Sequence, residues 1–333
     1  MRQLLLSLFV LIGSGAIALI LFFLWASSGR YPADRYAHEV TIETLPLKTE
    51  ADEITVVSYN IGYLSGLTNN QATRRTRQLY DENLATAIAA IQSVNPDVLA
   101  LQEVDLDSKR SFNIDQVAAI AKATDYPQQA ISINWDKRYV PFPSWPLSAH
   151  FGSIFSGQAI LSRFPVTHHE RQVLEKVPSN PFYYNALYLD RLAQVAEVAV
   201  GDRTLVVINI HLEAFDGPTR LNQTRFVRQL AEDYAQNHPV LLVGDFNSAI
   251  NREAEGEPRS IQTMVDSPVF SPAIPAEQFT NSAQATFPSD TPEHKLDYIF
   301  YTPETLELVE SDVLTAAAQA SDHLPLVTRL RLR

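Results

Sequence analysis

The chain has 333 residues, of which 46% are hydrophobic and 19% charged, and its formal net charge is -12. This composition is typical of a globular protein with a core and excludes a disordered chain. The acidic charge disfavours long nucleic acids as partners without excluding them, since a metal can bridge an acidic protein to phosphates, and the absence of cysteine excludes disulfides, thiolate metal sites and cysteine nucleophiles.

Residues 1–28 are predicted to be a membrane anchor or a signal sequence. Residues 3–25 are uncharged and almost wholly apolar, and about 20 such residues span a bilayer, whereas a cleaved signal peptide has an apolar core of roughly 7–15. The length favours a retained transmembrane helix, although Ala26-Ser27-Ser28 also suits cleavage. Arg2 and Arg30 lie on opposite sides of this helix, so charge does not decide its orientation. A two-residue leader usually stays in the cytoplasm, which predicts a periplasmic or extracellular domain.

Residues 29–52 are polar and aperiodic, which predicts a linker, and the catalytic domain is expected over residues 53–333. Strands outnumber helices in that domain, and the helices fall between groups of strands, which predicts two packed sheets with helices on their outer faces. The predicted strands cover 54–60, 98–104, 158–162, 192–200, 204–212, 240–244, 295–301, 307–314 and 326–332, and the predicted helices cover 73–95, 114–124 and a segment that begins at Gly217.

Residues 135–155 differ from the rest of the domain. They contain two tryptophans, three phenylalanines and three prolines, which predicts a long aromatic loop. Such a loop could pack its rings over a sheet edge, or it could contact a substrate or a membrane.

Five short polar motifs follow apolar strand-like runs. Their oxygen-bearing side chains suit Mg²⁺, Mn²⁺ or Ca²⁺ rather than zinc. Glu103 is the most informative of them, because a carboxylate at the end of an apolar strand is costly to bury without a partner. Each motif alone could equally be an ordinary strand end or turn, so the prediction rests on the whole set. The motifs are residues 58–62, 101–104, 209–212, 244–247 and 321–323, and their oxygen ligands are Asn60, Glu103, Asp245, Asn247 and Asp322.

The same motifs contain groups suited to proton transfer. Gly244 permits a tight turn as its strand ends, so that Asp245 and Asn247 lie on one side of an extended segment. Histidine is the usual general base near neutral pH, and Asp297, a charged residue inside a strand, could orient His323.

The order of these motifs resembles the endonuclease/exonuclease/phosphatase superfamily of metal-dependent phosphoesterases. The likeness extends from about residue 53 to the C-terminus and is nearest to bacterial-type members related to deoxyribonucleases and sphingomyelinases. It implies a four-layer α/β/β/α sandwich, preceded here by one transmembrane helix. The residues that carry it are Asn60, Gln102-Glu103, His211, Gly244-Asp245-Phe246-Asn247, Asp297 and Ser321-Asp322-His323.

The resemblance also implies a role for each of these residues. Glu103 would be the principal ligand of Mg²⁺ or Mn²⁺, and Asn60 and Asp322 would assist it. Asp245 and Asn247 would position the attacking water and the scissile phosphate.

His323, held by Asp297, would be the general base, and His211 would be a general acid or a phosphate ligand. The implied reaction is an in-line attack of water on phosphorus. Gln158 replaces the asparagine that usually contacts phosphate in this family, and Arg191 would be either a phosphate clamp or a surface salt bridge.

We therefore expect a monomeric hydrolase that acts on ester bonds and is attached to the membrane through residues 3–25. The expected substrate is a phosphodiester in a lipid head group or in another small phosphoester. One alternative is an extracytoplasmic nuclease of the same fold, and a second is a non-catalytic protein that binds a phosphorylated partner.

Overall fold

A computed structural model of the chain describes residues 2–252, 256 and 259–333. Among these residues the helices are α1 (Arg2–Ser27), α2 (Arg77–Val94), α3 (Gln116–Ala123), α4 (Phe182–Leu187), α5 (Gly217–Ala235) and α6 (Ser260–Val265). The strands are β1 (Ala37–Thr41), β2 (Glu53–Asn60), β3 (Val98–Asp105), β4 (Gln128–Val140), β5 (Gly152–Ser162), β6 (Val166–Val173), β7 (Leu192–Val200), β8 (Arg203–His211), β9 (Val240–Asp245), β10 (Ser271–Pro272), β11 (Asp297–Tyr301), β12 (Leu306–Val313) and β13 (Leu326–Leu332).

The strands form two mixed sheets that pack face to face. One sheet has the order β1-β4-β5-β3-β2-β13-β12, and the other has the order β10-β11-β9-β8-β7-β6. The pairs β2–β3 and β8–β9 are parallel. Parallel neighbours need a crossover connection, and here the two crossovers contain α2 and α5.

The core consists of three apolar layers, which explains the four-layer architecture. Val56 and Ile160 of the first sheet and Val207 and Val243 of the second share the central layer. The two outer layers lie between each sheet and its helices, with Ile91 of α2 in one and Val227 of α5 in the other. The predicted α/β/β/α sandwich is confirmed.

Helix α2 begins four residues later than predicted. Thr76 caps it by accepting a hydrogen bond from the backbone N–H of Leu79, and an N-cap side chain of this kind sets where a helix starts. At the other end, Asn95 is left-handed, with φ of 43°, and ends the helix directly before Pro96.

The prediction of a long aromatic loop over residues 135–155 is right for only about half of that length. Strand β4 continues to Val140 and β5 begins at Gly152, so only residues 141–151 connect the two strands. Trp135 and Phe151 pack with Ile154 in a small separate core. Because these rings face that core, their density reflects burial rather than irregular structure.

Part of the segment predicted as a linker is a strand of the domain. Strand β1 pairs antiparallel with β4, with Ala37 opposite Ser132. The backbone N–H groups of Arg30 and Tyr31 donate to the carboxylate of Asp136, each at 2.9 Å. Sequence reasoning missed this pairing because β1 is short and mostly exposed at the sheet edge, so it lacks an apolar alternation.

Helix α1 is long and apolar enough to cross a membrane, and it passes the same test as a signal sequence would. Within it, only Ala26, near its C-terminal end, is buried. The predicted apolar N-terminal helix is therefore confirmed.

Candidate active site

The predicted polar residues meet at one end of the sandwich, where both sheets contribute. Strand register places Gln102 opposite Asn60 in the first sheet and His211 opposite Asp245 in the second. The amide Nδ2 of Asn60 donates to Asp245 Oδ2 at 2.9 Å, which joins the two sheets. The site is thus built across the interface between the sheets.

Glu103 reaches the site because its strand is interrupted. The register between β3 and β5 shifts between Leu101 and Val104, and Glu103 has φ of 52°. A β-bulge re-aims a side chain, and left-handed backbone is strained for a residue with a side chain. Such strain at a carboxylate is typical of a functional position.

A second carboxylate lies beside Glu103. Asn69 Nδ2 donates to Glu103 Oε2 at 3.0 Å and to Asp322 Oδ1 at 3.3 Å. Gly62, with φ of 51°, makes room for Asp322, because a Cβ atom there would lie 2.6 Å from Asp322 Oδ1. The predicted metal ligands Glu103 and Asp322 therefore both accept a hydrogen bond from the amide of Asn69.

The side chains of Asp245 and Asn247 lie close together, but for a different reason from the one predicted. Asn247 is left-handed, with φ of 51°, so the segment is a turn rather than an extended strand. In this turn, the backbone N–H of Asn247 donates to Asp245 Oδ1 at 2.8 Å. Gly244 lies inside β9, where a Cβ atom would be 2.0 Å from the carbonyl oxygen of Ile210. The glycine therefore permits a close approach of strands and is not the exit turn that we predicted.

His211 lies between two carboxylates. Its Nε2 is 3.6 Å from Glu103 Oε1 and 3.5 Å from Asp245 Oδ2. Burial, followed by the positive charge of Arg191, lowers the pKa of His211 well below its usual value. The ring is therefore neutral at physiological pH.

His323 and Asp297 form a buried pair. His323 Nδ1 lies 2.8 Å from Asp297 Oδ2, and His323 Nε2 lies 3.8 Å from Asp245 Oδ2. Burial alone lowers the pKa of His323, but the carboxylates of Asp297 and Asp245 outweigh it and raise that pKa well above the usual value. Asp297 thus fixes the ring orientation and leaves Nε2 directed to the centre of the site.

The donor set fits a hard divalent cation. Burial and the negative charge of Asp322 raise the pKa of Glu103 to about 7, and burial raises that of Asp245 to about 6. Buried carboxylates gathered in this way require a cation or a proton, and oxygen donors suit Mg²⁺ or Mn²⁺. Ligand atoms of Asp245, Asp297 and His323 also lie within 4.8 Å of one another. Two of those residues are already hydrogen-bonded to each other, so Glu103 and Asp322 are the better candidates.

Arg191 is buried beside the site, so the alternative of a surface salt bridge is wrong. It directly precedes Leu192, which is opposite His211 in the sheet. Its Nε lies 3.6 Å from Glu213 Oε2, and among the residues that the structure describes Nε and Nη1 have no hydrogen-bond partner. Guanidinium N–H groups that are buried without a partner suit a phosphate oxygen.

Gln158 lies below the site, between the sheets. Its Nε2 donates to the backbone oxygen of Asn209 at 3.1 Å, and its Oε1 has no hydrogen-bond partner within the described part of the chain. The structure therefore brings the other nine predicted residues together at one end of the sandwich and leaves Gln158 in the layer beneath them.

Sequence reasoning missed Asn69, Glu213 and Arg110. Arg110 binds both carboxylate oxygens of Asp105 and lies 3.5 Å from the centre of the Tyr63 ring. Asn69 occurs in a polar run of the loop that follows β2, where no periodicity distinguishes it. Only Glu213 carried a signal, since it directly follows the motif at residues 209–212.

A sequence model of the endonuclease/exonuclease/phosphatase family matches residues 57–323. The chain belongs to this family. Members of the family are hydrolases that act on phosphoester bonds, and they generally depend on a divalent metal.

Solved structures share the fold at low sequence identity. An endonuclease/exonuclease/phosphatase from Beutenbergia cavernae is 21% identical, with a TM-score of 0.60 over 85% of this chain and 72% of that one. The human Nocturnin catalytic domain with bound sulfate is 20% identical, with a TM-score of 0.58 over 91% of this chain and 100% of that one. A mannosyl-6-phosphatase from Bacteroides thetaiotaomicron is 18% identical, with a TM-score of 0.57 over 83% and 99%.

Among curated proteins, a UPF0294 protein of Vibrio cholerae is 31% identical over 147 residues. The match covers 44% of this chain and 47% of that protein. The chain thus spans about half the length of the curated relatives that it matches.

Proposed function

We propose that this protein is a divalent-metal-dependent phosphodiesterase that hydrolyses a lipid head group or another small phosphoester. The observation that carries the proposal is the position of the His323–Asp297 pair, whose Nε2 lies 3.8 Å from Asp245 Oδ2. Asp297 holds Nδ1 of the ring, so Nε2 is the atom that can exchange a proton beside the carboxylates that suit a cation.

Glu103 and Asp322 would hold the metal, together with the side-chain oxygen of Asn60. When bound, the cation offsets negative charge on the phosphate oxygens. Asn69 supports this arrangement, because its amide donates to both carboxylates.

The chain's own residues position water and substrate. Asp245 and Asn247 would orient the attacking water, and His323 Nε2 would accept its proton while Asp297 stabilises the resulting imidazolium. Arg191 would bind a phosphate oxygen through its unpartnered N–H groups. His211 is neutral, so it would act as a hydrogen-bond donor to phosphate rather than as a cation.

The substrate class is inferred from charge and from the N-terminus. A net charge of -12 opposes the binding of long nucleic acid. An apolar helix at the N-terminus supports attachment to a membrane. In this proposal residues 1–28 are the anchor, and the catalytic domain, which includes β1, lies outside the cytoplasm. A small phosphoester at or near a membrane fits these features best.

The first experiment measures hydrolysis of bis-p-nitrophenyl phosphate with and without EDTA. We expect activity to disappear in EDTA and to return with Mg²⁺ or Mn²⁺. The variants Glu103→Ala and His323→Ala should lose activity by about 100-fold or more, whereas His168→Ala, an exposed histidine on β6, serves as the control. Activity that survives EDTA overturns the proposed metal dependence.

A substrate screen then decides between the alternatives. Sphingomyelin, glycerophospholipids, inositol phosphates and DNA are compared at two salt concentrations. Salt-sensitive cleavage of DNA would assign the protein as a nuclease instead. Function that is unchanged in both the Glu103→Ala and His323→Ala variants would indicate a non-catalytic binder of a phosphorylated partner.

A further inference from the structure

The C-terminal end of α1 is fixed to the domain. Lys137 Nζ donates to the backbone oxygen of Ser27 at 3.0 Å. The backbone N–H of Arg138 donates to the oxygen of Ser28 at 3.1 Å. Because Ala26 is also buried, the helix meets β4 at a defined place rather than through a free tether.

Aromatic residues of the domain lie beside the apolar part of this helix. The rings of Phe182 and Phe23 are 6.0 Å apart, and those of Tyr139 and Phe22 are 5.8 Å apart. An α-helix rises about 1.5 Å per residue, so Phe22 and Phe23 lie roughly 6–8 Å inside the helix from its end at Ser27. Phe182 therefore lies at the level of the apolar span.

Four large apolar side chains around this junction are exposed to an unusual degree. Phe182 is 77% exposed and Tyr183 55%, and in the β4–β5 connection Trp145 is 75% exposed and Leu147 64%. We call these four residues the rim patch. Aromatic side chains are enriched where a membrane meets water, and exposed apolar side chains of this size suit an interaction surface.

The rim patch belongs to the same end of the sandwich as the candidate active site. Asp105, two residues after Glu103, pairs with Ser156, so the start of β5 and the connection before it lie beyond that end. After α4, the chain passes through Leu189, which packs with Trp135, to Arg191 beside the site.

We propose that the rim patch enters the interface of the phospholipid bilayer that α1 crosses. Three features together favour a bilayer as the occupant: the apolar helix, its fixed junction with β4, and the ring contact between Phe182 and Phe23. Insertion holds the active-site end of the domain against the lipid head groups. Docking of the rim patch does not depend on which reaction the site catalyses. Only its consequence for substrate choice rests on the proposed function.

Site-directed spin labelling tests this geometry, because the chain contains no cysteine. Nitroxides are placed singly in the full chain as Phe182→Cys and Trp145→Cys, with Phe226→Cys on α5 as the matched control. Phe226 is also apolar and 48% exposed. The proteins are reconstituted into vesicles of phosphatidylcholine and phosphatidylglycerol, and thermal melting verifies that each labelled protein is folded.

For each label, the ratio of its collision frequency with oxygen to that with a water-soluble nickel chelate is measured. We expect this ratio to be several-fold higher at positions 182 and 145 than at position 226. Equal ratios of oxygen to nickel-chelate collisions at all three positions, at the value found in water, would overturn the proposal. It would also be overturned if α1 were cleaved off near Ala26 and the rest of the chain left the vesicles. The measurement requires no activity, so a failed hydrolysis assay and a failed docking result are distinguishable.

Discussion

At the scale of single residues, an unusual backbone conformation places two of the side chains in the candidate active site. Glu103 and Asn247 both have positive φ, and each is a residue whose side chain enters the site. Conformations of this kind cost on the order of 1–3 kcal/mol, and the surrounding structure must hold them in place. The stability given up at these positions keeps the carboxylate of Glu103 beside that of Asp322.

Replacing Glu103 by glutamine should stabilise the metal-free protein. Burial, with the charge of Asp322, raises the pKa of Glu103 to about 7 from its ordinary value of 4.5. The folded protein then binds more protons than the unfolded chain between these values, so stability is present at low pH and is lost as pH rises through about 7. Glu103→Gln removes this penalty.

Urea unfolding in EDTA should therefore show a gain of roughly 1–3 kcal/mol for Glu103→Gln at pH 8 and little gain at pH 4.5. The exposed Glu277→Gln provides the control. The same gain at both pH values would contradict the stated cause.

Replacing Asp297 by asparagine should shift the pH–rate profile. The carboxylate of Asp297 raises the pKa of His323 against the effect of burial, and it does so more strongly than that of Asp245. A base must be neutral to accept a proton, so in Asp297→Asn the acidic limb of the rate profile should move to lower pH. The plateau should fall by about 10²–10⁴ because the ring orientation is lost.

The measurement is the rate of bis-p-nitrophenyl phosphate hydrolysis as a function of pH, with the exposed Asp312→Asn as the control. A lower plateau without movement of the limb would mean that Asp297 is only structural.

At the scale of elements, a polar network joins the two sheets beneath the site. Gln102 Nε2 of β3 donates to Asn209 Oδ1 of β8 at 2.6 Å, and Asn209 Nδ2 donates to Gln194 Oε1 of β7 at 3.1 Å. All three side chains are fully buried. Such a network fixes the register in which the sheets face each other, since its members have no water to replace a lost partner.

Asn209→Leu should destabilise the protein by roughly 2–4 kcal/mol, because it leaves the buried amides of Gln102 and Gln194 without their partner. The midpoint of urea unfolding measures this loss. Asn237→Leu, at an exposed position after α5, should change the midpoint little. Equal effects of the two substitutions would show that the network contributes no specific stability.

At the scale of the whole molecule, the N-terminal segment belongs to the domain. A chain that begins at residue 29 keeps β1 and the N–H donors to Asp136, whereas one that begins at residue 53 loses both. We expect the shorter chain to be less stable by roughly 2 kcal/mol or more, which corresponds to a fall in Tm of several °C. Equal Tm values for the two chains would show that residues 29–52 act as a linker.

The sequence by itself determined the family, the sandwich and the N-terminal apolar helix. Apolar runs mark each central strand, and the motifs carry their chemistry in residue types that are visible without coordinates. That Asp297 and His323 would meet was also an inference from sequence, because a charged residue inside an apolar strand requires a partner.

Only the tertiary structure decided how the residues meet. The bulge at Glu103, the turn at Asn247 and the burial of Arg191 depend on neighbours distant in sequence, and no local pattern encodes them. The same holds for β1, which pairs with β4, and for Trp135 and Phe151, which pack in a small separate core. Local periodicity reports what a segment can form, whereas side-chain direction and burial are set by contacts between segments.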